Sequence, residues 1–263
     1  MFILKEVKLF IRLISILSSI LIVTVLIIKA PLWFANYFTN ENVPPPPVAT
    51  FGIHMPKGYS VHGIDVSKHQ GTIDWKRVSL MEKNGIKFRF VYIKATEGIS
   101  SQDKKFRENW KNSAQQGLLR GAYHFYYPSR DAGRQADNFI STVKLIKGDL
   151  PPVVDIEHSN SKSAAKICEG LRVFVDRIEK HYGVKPIIYT NIHFYENFLQ
   201  GKFDKYPLWI SCYFEHERFF SEFTRTWILW QHSEKGNVDG IRGNVDFNVF
   251  NGTLEQLRKK GIQ

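Results

Sequence analysis

The chain has 263 residues, 43% of them hydrophobic, and a formal net charge of +11, with a sequence pI near 9.5. That charge suits a polyanionic partner, but the basic residues are scattered, and neither an arginine-rich helix nor an aromatic stacking motif stands out, which argues against nucleic acid. The two cysteines, Cys168 and Cys212, have no framework of spacings around them, which excludes a disulfide-scaffolded fold and predicts no bridge.

Residues 13–28 carry no charge and consist of Leu, Ile and Val with a few small hydroxyl residues. Extended to residues 9–29, the run reaches the roughly 20 residues that span a bilayer. Lys5, Lys8 and Arg12 precede it and only Lys29 follows closely, so residues 1–8 are expected in the cytoplasm and the rest outside it. A cleaved signal peptide is the competing reading, but Pro31 after Ala30 is a poor cleavage context, and an uncleaved transmembrane anchor is expected. Residues 30–60 then read as a juxtamembrane spacer. Its proline run, Pro44 to Pro47, cannot be helical and prefers extended polyproline.

From residue 61 to 263 a single catalytic domain is expected, in which short apolar runs alternate with helical periods. Strands are predicted at 61–66, 88–94, 121–126, 153–157, 186–190, 208–212, 227–231 and 245–249. Helices are predicted at 75–83, 104–116, 132–145 and 163–181, several closed by a glycine such as Gly85, Gly117 or Gly183. The pattern implies an α/β barrel related to the TIM barrel, strand-helix in its first part and mostly strand in its last, following an N-terminal transmembrane helix. Reactive groups in such barrels sit at the carboxyl ends of strands.

The fourth predicted strand ends in Asp155-Ile156-Glu157. Alternation along a strand turns both acids to one side, roughly 6 to 7 Å apart, with Ile156 opposite. Like charges at that range raise one pKa, as a general acid at neutral pH requires. Asp65 ends the first strand and Asp246 lies in the last. First and last strands are neighbours in a closed barrel, so these two acids are expected to share one side of the mouth.

Four converging acids suggest a metal site or a glycosidase. There is no acidic loop of calcium spacing and no H-E-x-x-H, although His62, His69, His124, His158 and His193 keep a metal reading open. His124 is more simply a packing or hydrogen-bonding residue of the barrel. Sugar rings bind flat aromatic faces, and Tyr123, Phe125, Tyr189, Trp209 and Trp230, with Gln231 beside the last, lie in or at the ends of predicted strands. With the acids they outline a saccharide groove.

These segments resemble the glycoside hydrolase family 25 lysozymes, the Chalaropsis-type muramidases. The resemblance rests on Gly63-Ile64-Asp65-Val66-Ser67, Phe90-Val91-Tyr92-Ile93-Lys94-Ala95-Thr96-Glu97-Gly98, Gly121-Ala122-Tyr123-His124-Phe125-Tyr126, Asp155-Ile156-Glu157, Leu208-Trp209-Ile210, Trp230-Gln231 and Val245-Asp246-Phe247-Asn248, in family order over nearly the whole exported domain. It implies a (β/α)5(β)3 barrel that hydrolyses the β-1,4 bond from N-acetylmuramic acid to N-acetylglucosamine in peptidoglycan, without a cofactor. It also implies Glu157 as general acid, Asp155 as orienter or stabiliser in a substrate-assisted route, and Asp65 and Asp246 completing the acidic floor. Lys94, Tyr123, Tyr189 and Trp230 would line the groove. His232 stands where the family often has tyrosine, and the segment after Glu157 is short and polar. Two alternatives stay open: a catalytically silent peptidoglycan-binding module of an envelope assembly, and a glycosidase acting on other N-acetylated glycans.

Overall fold

The structure is a computed structural model that describes residues 50–213 and 223–263. The expected anchor and proline run lie outside the described residues. Among the described residues no helix is long and apolar enough to cross a membrane.

Eight strands close the barrel: β1 His62–Val66, β2 Ile86–Glu97, β3 Leu119–Phe125, β4 Val153–Asp155, β5 Ile187–Asn191, β6 Leu208–Ser211, β7 Leu229–Gly236 and β8 Val245–Phe250. Each of β1 to β6 runs parallel to the next. β8 is antiparallel to both its neighbours, β7 and β1. The link from β7 to β8 spans only residues 237–244, too short for a parallel crossover, so the chain must return in a hairpin.

Helices α1 Trp75–Leu80, α2 Phe106–Gln115, α3 Ala132–Thr142 and α4 Ala164–Tyr182 follow the first four strands, and a short helical stretch over residues 192–199 follows the fifth. Their starts are written in the sequence: Asp74, Asp131 and Ser163 each accept a backbone N–H from the first turn. Gly183, at φ 71°, ends α4 in the left-handed conformation that a side chain resists.

Strand alternation sorts the apolar residues into two layers. Phe90, Tyr92, Val153, Trp209, Leu229 and Phe250 fill the barrel interior, while Ile64, Val91, Ile93, Val154, Ile156 and Phe247 face the surrounding shell. A Cβ on Gly121 would collide with the Tyr92 ring, so the interior holds that ring only because the neighbouring strand has no side chain there.

Two features differ from the sequence expectation. A further helix, α5 Leu254–Lys260, opens with a Thr253–Gln256 capping box and buries Leu257 against the interior cluster. The compact unit already includes Thr50 and Phe51, ahead of residue 61. Phe51 is 3% exposed, and its ring packs at a tilt 5.4 Å from that of Phe88 and 5.3 Å from that of Phe247. Tyr59 lies 5.9 Å from Trp227 and 6.0 Å from Trp230. Residues 50–60, expected to belong to the spacer, thus cover the outer wall where the last strands carry no helices, because apolar strand faces need a cover.

Candidate active site

Because β8 runs against its neighbours, its beginning lies at the same mouth as the ends of the other strands. Asp65 and Asp246 are direct partners in the β1–β8 register. Asp155 ends β4, and Glu157 follows past Ile156, which is fully buried in the outer layer. All four acids line one cavity of about 320 Å³, at the small end of the ~300–1,000 Å³ typical of ligand sites. Among the described residues, no group of three His, Cys, Asp or Glu is placed to hold a metal.

Lys94, Tyr123, Phe125, Tyr189 and Gln231 line the same cavity; Trp230 does not. It is 1% exposed, packs beside Trp227 and His232, and donates its Nε1 to Cys212 O at 3.0 Å. The expectation that it lines the groove is therefore corrected. Adjacent strand residues face opposite sides, so Trp230 and Gln231 cannot both look inward. Trp209, on the inward parity of β6, takes a place on the wall.

Glu234 and Tyr213 also line the cavity and were missed from the sequence. β7 carries an extra residue relative to β8, since Gln231 pairs with Asn248 but Ser233 with Phe247. Such a bulge reverses the alternation beyond it, bringing Glu234 to the mouth where an unbroken count from Gln231 would turn it away. No local signal marks that bulge. His124 faces the outer layer instead, fully buried, with Nδ1 2.7 Å from Thr96 Oγ1 and the ring stacked on Phe174. Burial pushes its pKa down to about 3, so it stays neutral.

Asp65 is held by amides. Gln231 Nε2 donates to its Oδ1 at 2.9 Å, and Asn248 Nδ2 donates to the same oxygen at 2.7 Å. Burial raises the Asp65 pKa to about 6 against the opposing pull of those bonds. Its partner Asp246 is pushed up to about 9 by burial and then by the Asp65 charge beside it, so a proton shared by this pair rests on Asp246 at neutral pH.

Asp155 and Glu157 form a second pair, and both are raised above the ordinary carboxylate range, first by burial. Asp155 is further raised by the Glu157 charge and opposed by Lys94. Glu157 is opposed by the hydrogen bond from Asp155, by His158 and by Asn191, and supported by the Glu234 charge. Two adjacent buried carboxyls cannot both ionise freely, so this pair also shares a proton. Asp155 Oδ1 is buried and has no hydrogen-bond partner. Lys94 Nζ binds Glu97 Oε2 at 2.7 Å and lies 4.7 Å from the centre of the Phe125 ring, so its charge is already compensated at the cavity wall.

The sequence profile of glycosyl hydrolases family 25 matches residues 64–241. The chain is 46% identical over 212 residues to a protein of Escherichia coli K12 called YegX, described as uncharacterized, covering 81% of this chain and 77% of that one. It is 35% identical over 213 residues to lysozyme M1 of Streptomyces globisporus, covering 75% of this chain and 70% of that one. The solved structure of a family 25 glycosyl hydrolase from Bacillus anthracis superposes with a TM-score of 0.72 at 31% identity, covering 79% of this chain and 96% of that one. A profile match across most of the barrel, over an acid-lined mouth on the same fold, makes this chain a member of glycosyl hydrolases family 25, and so a glycoside hydrolase.

Proposed function

We propose that the chain is a lysozyme-type muramidase that cuts the β-1,4 bond between N-acetylmuramic acid and N-acetylglucosamine in peptidoglycan. The observation that carries this reading is the Asp155–Glu157 pair: two carboxyls share a proton in a cleft, and the deeper one presents a buried oxygen without a donor. The likeness to a protein named lysozyme supports the substrate class.

Glu157 is the general acid. In the free enzyme the shared proton is drawn toward Asp155, which is the more deeply buried of the two. An acetamido N–H donated to Asp155 favours its ionised form and moves that proton to Glu157. Glu157 then protonates the glycosidic oxygen as it leaves, while the acetamido oxygen attacks the anomeric carbon, and Asp155 stabilises the positive charge that develops on the ring so formed. Water opens this intermediate and gives its proton to the Glu157 carboxylate, so the product retains its configuration. Purified sacculi should release muropeptides with retained reducing ends, and the Glu157→Gln variant should release about a thousandfold less. A wild-type protein that binds sacculi without cutting them would leave a binding module; inverted products would end the substrate-assisted route.

Glu234 tunes this acid. Its charge at the rim favours protonated Glu157, so Glu234→Gln lowers the Glu157 pKa and the acid loses its proton at lower pH. The basic limb of kcat/KM should therefore move to lower pH, with kcat near the optimum little changed; an unmoved limb removes Glu234 from this role.

Residues 9–29 tether the enzyme to a membrane, with the barrel outside the cytoplasm. The motive is the uncharged apolar run flanked on its N-terminal side by basic residues. The full chain should stay with membranes through alkaline carbonate extraction; release into the supernatant would exclude the tether.

A further inference from the structure

We propose that Asn248, with its amide turned by the Trp209 indole, is a positioning residue. Together with Gln231 it keeps Asp65 the charged member of the Asp65–Asp246 pair and leaves the shared proton on Asp246. The inference rests on the muramidase reading for its consequence, but the arrangement itself stands on hydrogen bonds and burial.

An indole N–H can only donate. Trp209 Nε1 reaches Asn248 Oδ1 at 2.9 Å, so the oxygen of that amide must face Trp209 and its NH2 must face Asp65. Gln231 is fixed by the same logic from the other side. Tyr189 and Tyr213 donate their hydroxyls to Gln231 Oε1 at 2.8 and 2.5 Å, which leaves its NH2 for Asp65. Burial raises both tyrosine pKa values, so both hydroxyls keep their protons. Asn248, Trp209 and Gln231 are 0%, 2% and 3% exposed, so water does not compete for these bonds.

Two amide donors on one oxygen of Asp65 stabilise its carboxylate, and a carboxylate there is the best acceptor for a proton held by Asp246. The order is thus Trp209 to Asn248 to Asp65 to Asp246. The other titratable groups sharing the cavity are His69 after β1, Asp155 at the end of β4 and Glu157 just past it, Glu234 from β7, Lys94 from β2, and Tyr123, Tyr189 and Tyr213. Charges at Asp65 and Glu157 repel, so a fixed charge on Asp65 favours Glu157 in the protonated form that the reaction needs.

The test is Asn248→Leu in the full chain, which removes the donor without adding charge. The acid limb of kcat/KM should move to higher pH, because Asp65 ionises less readily. At neutral pH kcat should fall roughly tenfold with KM within about twofold, the weight of one hydrogen bond to a charged group. With 13C-labelled aspartate carboxyls, the Asp65 titration should move up in pH. The single variant orphans the indole, and a buried unpaired donor is costly, whereas replacing both partners by apolar groups is nearly neutral. The double variant Asn248→Leu with Trp209→Phe therefore provides a second, folded background for the same titration.

An unmoved Asp65 titration in either folded variant, or a moved titration with kcat and its pH limb untouched, overturns the proposal. Titrations that move as expected in a protein whose wild type cannot cut sacculi would sink the muramidase reading and leave the proton arrangement standing.

Discussion

Glu157→Gln should lower muropeptide release from sacculi by about three orders of magnitude, within the 10²–10⁴ that a positioned general acid contributes. The amide keeps the size of the side chain but has no proton to give a leaving alkoxide. Because Glu157 sits partly exposed at the cavity wall and Gln fills the same space, the variant should unfold at the wild-type temperature and still bind sacculi. The defect should also depend on the leaving group. An activated aryl glycoside of an N-acetylated saccharide needs little protonation to depart, so the variant should release a burst of the phenol at a rate near wild type. Absence of that rescue would mean that Glu157 does something other than protonate the leaving oxygen.

Asp155→Asn should cost about 10² to 10³ in kcat, the scale of losing a preorganised electrostatic stabiliser. Here the same aryl substrate should give no rescue. Asp155 acts on the acetamido group and on charge developing in the sugar, and those demands persist however good the leaving group is. An amide at this position cannot supply the negative charge, and it cannot yield a proton to Glu157. The contrast between the two variants on one activated substrate separates their roles, and equal rescue of both would collapse the assignment. The measurement is phenol release by absorbance, alongside reducing-end analysis of sacculus digests.

Much of this site is legible because its logic is local. Asp155-Ile156-Glu157 places two acids on one side of a strand by a period of two, which holds in any sheet. The same period could have rejected Trp230, since Gln231 next to it already faces inward. Residues 50–60 were less legible, since nothing in a short loop sequence says which strand faces lack a helix to cover them. Glu234 was invisible for a different reason: its orientation depends on a bulge defined only by how β7 and β8 align. Asp246 lies beyond the matched family stretch of residues 64–241. It is second in its strand, and in a parallel strand that position would fall at the opposite end of the barrel from the site.

The sequence by itself determined the alternation of strand and helix, the helix starts at Asp74, Asp131 and Ser163, and the four acids Asp65, Asp155, Glu157 and Asp246 of the mouth. These follow from backbone periodicity and capping, which act over a few residues. Only the tertiary structure decided that the last strand runs backward, so that Asp246 meets Asp65, that Trp230 faces away, and which carboxyl of each pair holds a proton. Strand direction is a choice among distant partners, and proton affinity depends on burial and on charges brought together from strands far apart in the chain.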